Sequence, residues 1–203
     1  MVSQQRNTAL DEPIRVAPNA IADRAILDAA YQLLLAVGMR RLNMADIARH
    51  AGVSRATLYR RWPNVQAVLA ALTTREFAAL TDGGFPAGRT SRAALVESVC
   101  GSVTALRAHP LLRKIIDVDP EFLLPYLLHR QGASTAAQVQ LLEAALSDHD
   151  GTIRTGDPAA LARTVWLTAW PFVLTAPVFV DEHVGLDVLD AQLRELLDRY
   201  LAP

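Results

Sequence analysis

The sequence predicts an all-α protein in two parts, a compact N-terminal group of short helices and a larger C-terminal helical part. Three observations predict it. Apolar residues recur at spacings of three and four nearly throughout. Val, Ile and Thr form no alternating runs bounded by turns. Helix-start and helix-stop residues punctuate the chain at short intervals.

Residues 1–18 read as a polar arm ending at Pro18. Asn19 caps a helix to about Val37, whose buried face is Ile26, Ala29, Ala30, Leu33, Leu34 and Val37. Gly38 suits the left-handed stop. Asn43 caps a very short helix, with Asp46 three residues on in a capping-box arrangement. Gly52 ends that helix, and Ser54 caps a second one reaching about Trp62. Pro63-Asn64 restarts the chain into a helix from Val65 to about Leu80. The stretch from Thr81 to Thr90 carries Asp82-Gly83-Gly84, Pro86 and Gly88, and is the best domain boundary. It divides the chain into 19–80 and 81–203.

In the second part, Ser91 to Ala108 is expected to be helical, with Leu95, Val96, Val99, Val103 and Leu106 on one side. A short helix follows His109-Pro110. Asp119-Pro120-Glu121 is expected to open another helix as cap, first-turn proline and acid. Pro125 then falls early enough to be tolerated or to kink it slightly. A helix is expected from about Thr135 to Leu146, then a loop from Asp148 to Asp157. Asp157-Pro158 starts a long helix to about Val180, and the last helix carries Leu186, Leu189, Leu193, Leu196, Leu197 and Tyr200 on one stripe.

Composition narrows the function. Hydrophobic residues are 51% and charged residues 20% of the 203, enough for a sizeable core. The lone Cys100 excludes a disulfide framework and a multi-cysteine zinc site. Net charge is −1, but it is unevenly spread: residues 1–80 carry ten arginines against six acids, and the remainder ten basic against fifteen acidic residues. A basic N-terminal module suited to a polyanion is implied. The first twenty residues lack the apolar core of a secretory signal, so a cytoplasmic location is expected. The uncharged run from Thr164 to Val180 is shorter than a membrane span needs and reads as a helix buried in protein. No nucleophile elbow, glycine-rich phosphate loop or HExxH occurs, and the five histidines (50, 109, 129, 149, 183) lack ligand spacing. Neither an enzyme, a cofactor nor a metal site is expected.

The segment from Leu42 to Trp62 reads LNMADIARHAGVSRATLYRRW. Two helices of about two turns each meet at the Ala51-Gly52-Val53 corner. Ala48 and Ala51 permit close approach, and Ile47, Val53 and Leu58 hold the pair, which is helix-turn-helix design. The second helix presents Arg55, Thr57, Tyr59, Arg60 and Arg61, as a recognition helix in a major groove would.

The run IARHAGVSRATLYRRW, with the amphipathic region before it and the Pro-Asn helix after it, resembles the TetR family of bacterial transcriptional regulators. The resemblance is strong over residues 20–75 and much weaker beyond. It implies that Thr57 and Tyr59 hold DNA phosphates, that Arg55 and Arg60 read bases, and that Arg61 does either. Asn43 and Arg41 complete the implied DNA-binding set, and Trp62 takes the family's aromatic core position. Ala56 stands where many members have Gly, and Val65 where many have a phosphate-binding Lys; Arg24, Arg40 or Arg41 could compensate.

The resemblance also implies a homodimer that reads a palindromic double-stranded DNA operator and is released by a small apolar or aromatic effector. The expected effector walls are Val99, Cys100, Val103, Leu106, Phe122, Tyr126, Leu127, Trp166, Trp170 and Leu174, against a reading of each as ordinary core. His109 and His129 are candidate polar contacts, and Cys100 reads as a redox switch or a small buried hydrophobe. The expected dimer surface is Val165, Phe172, Leu186, Leu189, Leu193, Leu196 and Leu197. The alternative is a DNA-binding regulator without a small-molecule effector, controlled by a protein partner or by abundance; a ligand-sized cavity would count against it.

Overall fold

The computed structural model describes residues 18–81 and 89–203. Among them are ten α-helices and two 3-10 turns. Strand-like pairing among the described residues is confined to one bridge between Thr90 and His149. The expected arm, apart from Pro18, lies outside the described residues, as does 82–88 of the expected boundary.

Four helices make up the N-terminal part: α1 Pro18–Val37, α2 Met44–His50, α3 Arg55–Arg61 and α4 Val65–Thr81. Asn19 lies inside α1 rather than capping it, since Pro18 is already helical. The other starts are side-chain capped. Asn43 Oδ1 accepts from the Asp46 N–H at 2.9 Å, and its amide donates to Asp46 Oδ2 at 2.7 Å. Ser54 Oγ accepts from the Thr57 N–H at 3.0 Å, and Asn64 Oδ1 from the Ala67 N–H at 2.9 Å. Each such cap contributes roughly 0.5–2 kcal/mol, which matters for helices of seven residues. Ile26, Leu34, Ile47, Leu58, Val68 and Leu72 are wholly buried at the centre of this group.

The C-terminal part comprises α5 Arg92–Ala108, α6 Pro110–Val118, α7 Leu124–Leu128, α8 Ala133–Ser147, α9 Pro158–Leu174 and α10 Leu186–Leu201. Helix α9 packs against α5, α8 and α10, while α4 reaches from the N-terminal part to α5 and α8. One contiguous buried cluster therefore runs through both parts. Three arginines tie α5 to neighbouring helices. Arg92 pairs with Asp198 at 2.7 Å and Arg194 with Glu97 at 3.0 Å. Arg107 grips both Asp190 carboxylate oxygens at 2.6 and 3.1 Å, and also donates to the Phe172 carbonyl.

The structure corrects three expectations. Asp119 does not cap a helix. Its carboxylate is buried and turned away, and Pro120–Phe122 forms a 3-10 turn before the five-residue α7 begins. Pro125 is therefore a first-turn residue of a new helix, not a kink within a longer one. Helix α9 stops at Leu174, not near Val180, and Ala176–Phe179 forms a 3-10 turn. Pro177 has no N–H to continue the helix and disfavours α geometry at Ala176. Finally, Val165, Leu193 and Leu197 are at most 1% exposed. They belong to the protomer's own core rather than to a surface for a mate. Helix α10 packs against α5 and α9, and Leu193, Leu197 and Leu201 form its buried face. Leu186, Leu189 and Phe172 are half-buried, and only Leu196 of the expected set is exposed.

Candidate nucleic-acid interface and adjoining cavity

Helix α3 buries one residue, Leu58, which anchors it in the core beside α2. With one anchor on so short a helix, the neighbouring positions must face outward. Arg55, Ala56, Tyr59 and Arg60 are exposed, Tyr59 at 52%. No carboxylate among the described residues pairs with Arg41, Arg55 or Arg60, which leaves an uncompensated cationic face. Thr57 is half-buried and its hydroxyl shares a 2.9 Å hydrogen bond with Ser54 Oγ. Trp62 packs against the core.

Two members of the expected DNA-binding set are otherwise engaged. Arg61 is 15% exposed and forms an ion pair with Asp23 of α1, so it braces α3 from behind. The period of 3.6 carries position 61 away from the face shared by 55, 59 and 60. Asn43 is exposed, but its amide is committed on both sides to Asp46. Of the arginines that could replace the missing lysine, Arg24 lies 3.8 Å from Asp28. Arg40 pairs with Glu121 at 2.5 Å and Asp119 at 3.3 Å. Only Arg41 keeps an exposed guanidinium outside any ion pair among the described residues.

Those Arg40 contacts form an elbow between the two parts. Gly38 has φ +81°, and a Cβ there would lie 2.9 Å from Asp119 Oδ2. Glycine is thus required twice, for the left-handed backbone and for the approach of the carboxylate. Asp119 Oδ2 accepts the Met39 N–H at 2.6 Å, and Asp119 is 2% exposed. The Glu121 carboxyl is held below the usual range, first by its own backbone N–H and then by Arg40.

Directly behind this elbow lies a cavity of about 310 Å³. Met39 and α4 supply one wall, α6 and the 3-10 turn another, and α8 and α9 close it through Gln138 and Trp170. A second space of about 60 Å³ adjoins it, lined in part by Val99, Val103, Leu106 and Trp166. Gln138 and Trp170 line both. Trp166 stacks on Trp170 at 5.2 Å and donates to Gln138 Oε1 at 3.2 Å. The Trp170 Nε1–H is buried with no acceptor in the protein, a donor that finished cores seldom leave unpaired.

The expected effector residues thus divide. Phe122, Tyr126 and Trp170 line the larger cavity, and Val99, Val103, Leu106, Trp166 and Trp170 the smaller. Cys100, Leu127 and Leu174 line neither. Cys100 lies one position, about 100°, round α5 from Val99, beside the Arg194, Glu97 and Asp190 charges; it is buried, and burial pushes its thiol pKa up, as for a small buried hydrophobe. Leu127 is 44% exposed, and Leu174 packs against the core. His109 is in contact with Phe77 rather than with either cavity, and His129 is exposed. Sequence reasoning missed the walls from α4, α6 and α8. The one available signal was the polar pair Thr135 and Gln138 on a helix that otherwise reads as ordinary core.

Comparison with known proteins places these features. Residues 26–72 match the family model for bacterial regulatory proteins of the tetR family. An uncharacterized HTH-type transcriptional regulator of Mycobacterium bovis is 33% identical, over 87% of this chain and 92% of its own. A counterpart from Mycobacterium tuberculosis is 32% identical over the same shares. Among solved structures, the TetR family repressor AlkX from a Dietzia species, implicated in n-alkane biodegradation, superposes with a TM-score of 0.65 at 24% identity. That match covers 92% of this chain and 96% of AlkX. A complex of SmeT with triclosan gives a TM-score of 0.59 at 23% identity, covering 90% and 92%.

Proposed function

Because the chain belongs to the TetR family of bacterial transcriptional regulators, we propose that it is a dimeric repressor that binds a palindromic operator and releases it when a small molecule enters the cavity behind the elbow. The DNA part of this reading rests on α3, where Arg55, Tyr59 and Arg60 stand exposed on a rigid, capped helix. Arg55 and Arg60 suit bidentate contacts to guanine, Tyr59 and Thr57 suit phosphates, and Arg41 supplies a further phosphate contact. Arg61 contributes by holding α3 against Asp23, and Asn43 by capping α2.

The effector part rests on the cavity. It has walls from both parts of the chain and is of ligand size. Met39 lines it, and Met39 carries the N–H that Asp119 accepts. A ligand that fits the cavity only when this corner shifts stabilises the shifted state by its difference in affinity, and α4 carries the shift to α3. This cavity favours an effector-controlled regulator over one governed by a protein partner.

Fluorescence anisotropy with the DNA upstream of the protein's own gene tests the reading. Binding is expected to be sequence-dependent and weakened by salt, and Arg60→Ala is expected to lose about 1–3 kcal/mol. Equal affinity for that duplex and a scrambled one, or an Arg60→Ala variant that binds as well as the parent, would overturn it.

A further inference from the structure

We infer that the cavity takes an amphipathic carboxylate, with its headgroup on Arg130 at the mouth and its apolar tail directed toward Trp170. This rests on the effector reading and specifies its ligand class. Most of the lining is apolar, with Leu69, Phe77, Leu112 and Ile115 in its wall. Two charged side chains line it, Glu121 and Arg130. Glu121 already has a countercharge, because Arg40 donates to it at 2.6 Å. Arg130 has none among the described residues. Arg130 is therefore the one guanidinium in the lining, and no carboxylate among the described residues pairs with it.

The surroundings of Arg130 are built for a planar anion. Its guanidinium carbon lies 4.8 Å over the Tyr126 ring, and Nη2 donates to Tyr126 Oη at 3.3 Å. The ring contact and the Tyr126 hydrogen bond hold the guanidinium and leave its remaining donors for a carboxylate. Tyr126 is in turn seated against Gly132, where a Cβ would come within 3.1 Å of the ring. Gly132 begins α8 without a side-chain cap, and Gly132, Ser134 and Thr135 line the same cavity. Two hydroxyls and uncapped first-turn N–H groups thus add to the guanidinium. Trp170, with Trp166 stacked on it from outside the cavity lining, offers indole surface with no charge. A neutral ligand would leave the Arg130 charge without a counterion, and a cation would be repelled by it.

Decanoate, decan-1-ol and decylamine share one tail and differ in headgroup charge. Binding of each to the full-length protein is read by tryptophan fluorescence and by calorimetry, independently of DNA. Decanoate is expected to bind at least about tenfold more tightly than the alcohol, as a charge-assisted contact requires. Arg130→Gln is expected to erase that difference without weakening the alcohol, and Arg130→Lys to restore part of it. Arg130 is exposed, so the fold does not depend on it. Equal binding of acid and alcohol, unaffected by Arg130→Gln, would overturn the carboxylate assignment and leave the effector cavity standing. Preference for the amine would overturn it in favour of Glu121. If none of the three binds, the amphipathic-carboxylate assignment is overturned, while the DNA-binding reading is tested separately by anisotropy.

Discussion

His109 sits where α5 ends and α6 begins, with its side chain 12% exposed. Its ring meets Phe77 edge-on at 5.8 Å, its Nε2 is 3.6 Å from Glu76 Oε2, and its Nδ1 is buried without a partner. Burial lowers its pKa from the ordinary 6.5, and the Glu76 carboxylate only partly opposes that. The native protein thus resists the proton that the unfolded chain accepts. The stabilisation is present above pH 6.5 and declines as the pH falls through the depressed native value. Urea unfolding of the parent and of His109→Leu at about pH 7.5 and about pH 5 checks this. The parent is expected to lose more stability than the variant over that range. Equal losses would show that His109 does not carry the dependence.

At the scale of elements, two glycines separate backbone demand from packing demand. Gly52, between α2 and α3, has φ +66° and open space around a would-be Cβ. Gly52→Ala is expected to cost about 1–2 kcal/mol, the left-handed penalty alone. Gly38 has the same backbone demand, but its Cβ would press on Asp119 Oδ2 and on Val118. Displacing that carboxylate would also strand the buried Met39 N–H, adding about 1–3 kcal/mol. Thermal unfolding of the two variants is expected to rank Gly38→Ala as clearly the less stable; equal midpoints would refute the packing role of the elbow. The pair also shows what was legible in the sequence. Caps at Asn43 and Ser54 and the stop at Gly52 depend on residues within four positions, so their spacing reveals them. The same holds for Arg55, Thr57, Tyr59 and Arg60, a contiguous run on one short helix. Asp119 answers to Met39, eighty positions away, and a local reading assigned it to a cap. The cavity draws walls from five helices and a turn, and no window of sequence contains it.

At the scale of the whole molecule, the same distinction decides how two copies would meet. Apolar periodicity identifies a helix's buried stripe without saying whether the protomer or a mate buries it. Leu193 and Leu197 are buried by the protomer itself. The apolar surface left outward on the last two helices includes Leu167 at 65%, Leu196 at 48% and Val188 at 44% exposure. Water-exposed leucines on adjacent helices suit a four-helix contact about a twofold axis, which also sets two copies of α3 for two half-sites. Leu167→Glu is expected to keep the helix content and unfolding midpoint of the parent while sedimenting as a monomer at micromolar concentration. It is also expected to bind operator more weakly, because each half-site is then engaged alone. Leu193→Ala should behave in the opposite way, losing about 2–5 kcal/mol of stability at temperatures where the surviving folded fraction still associates. A Leu167→Glu protein that remains dimeric would move the interface off α9. A Leu193→Ala protein that dissociates without losing stability would return it to the inner stripe.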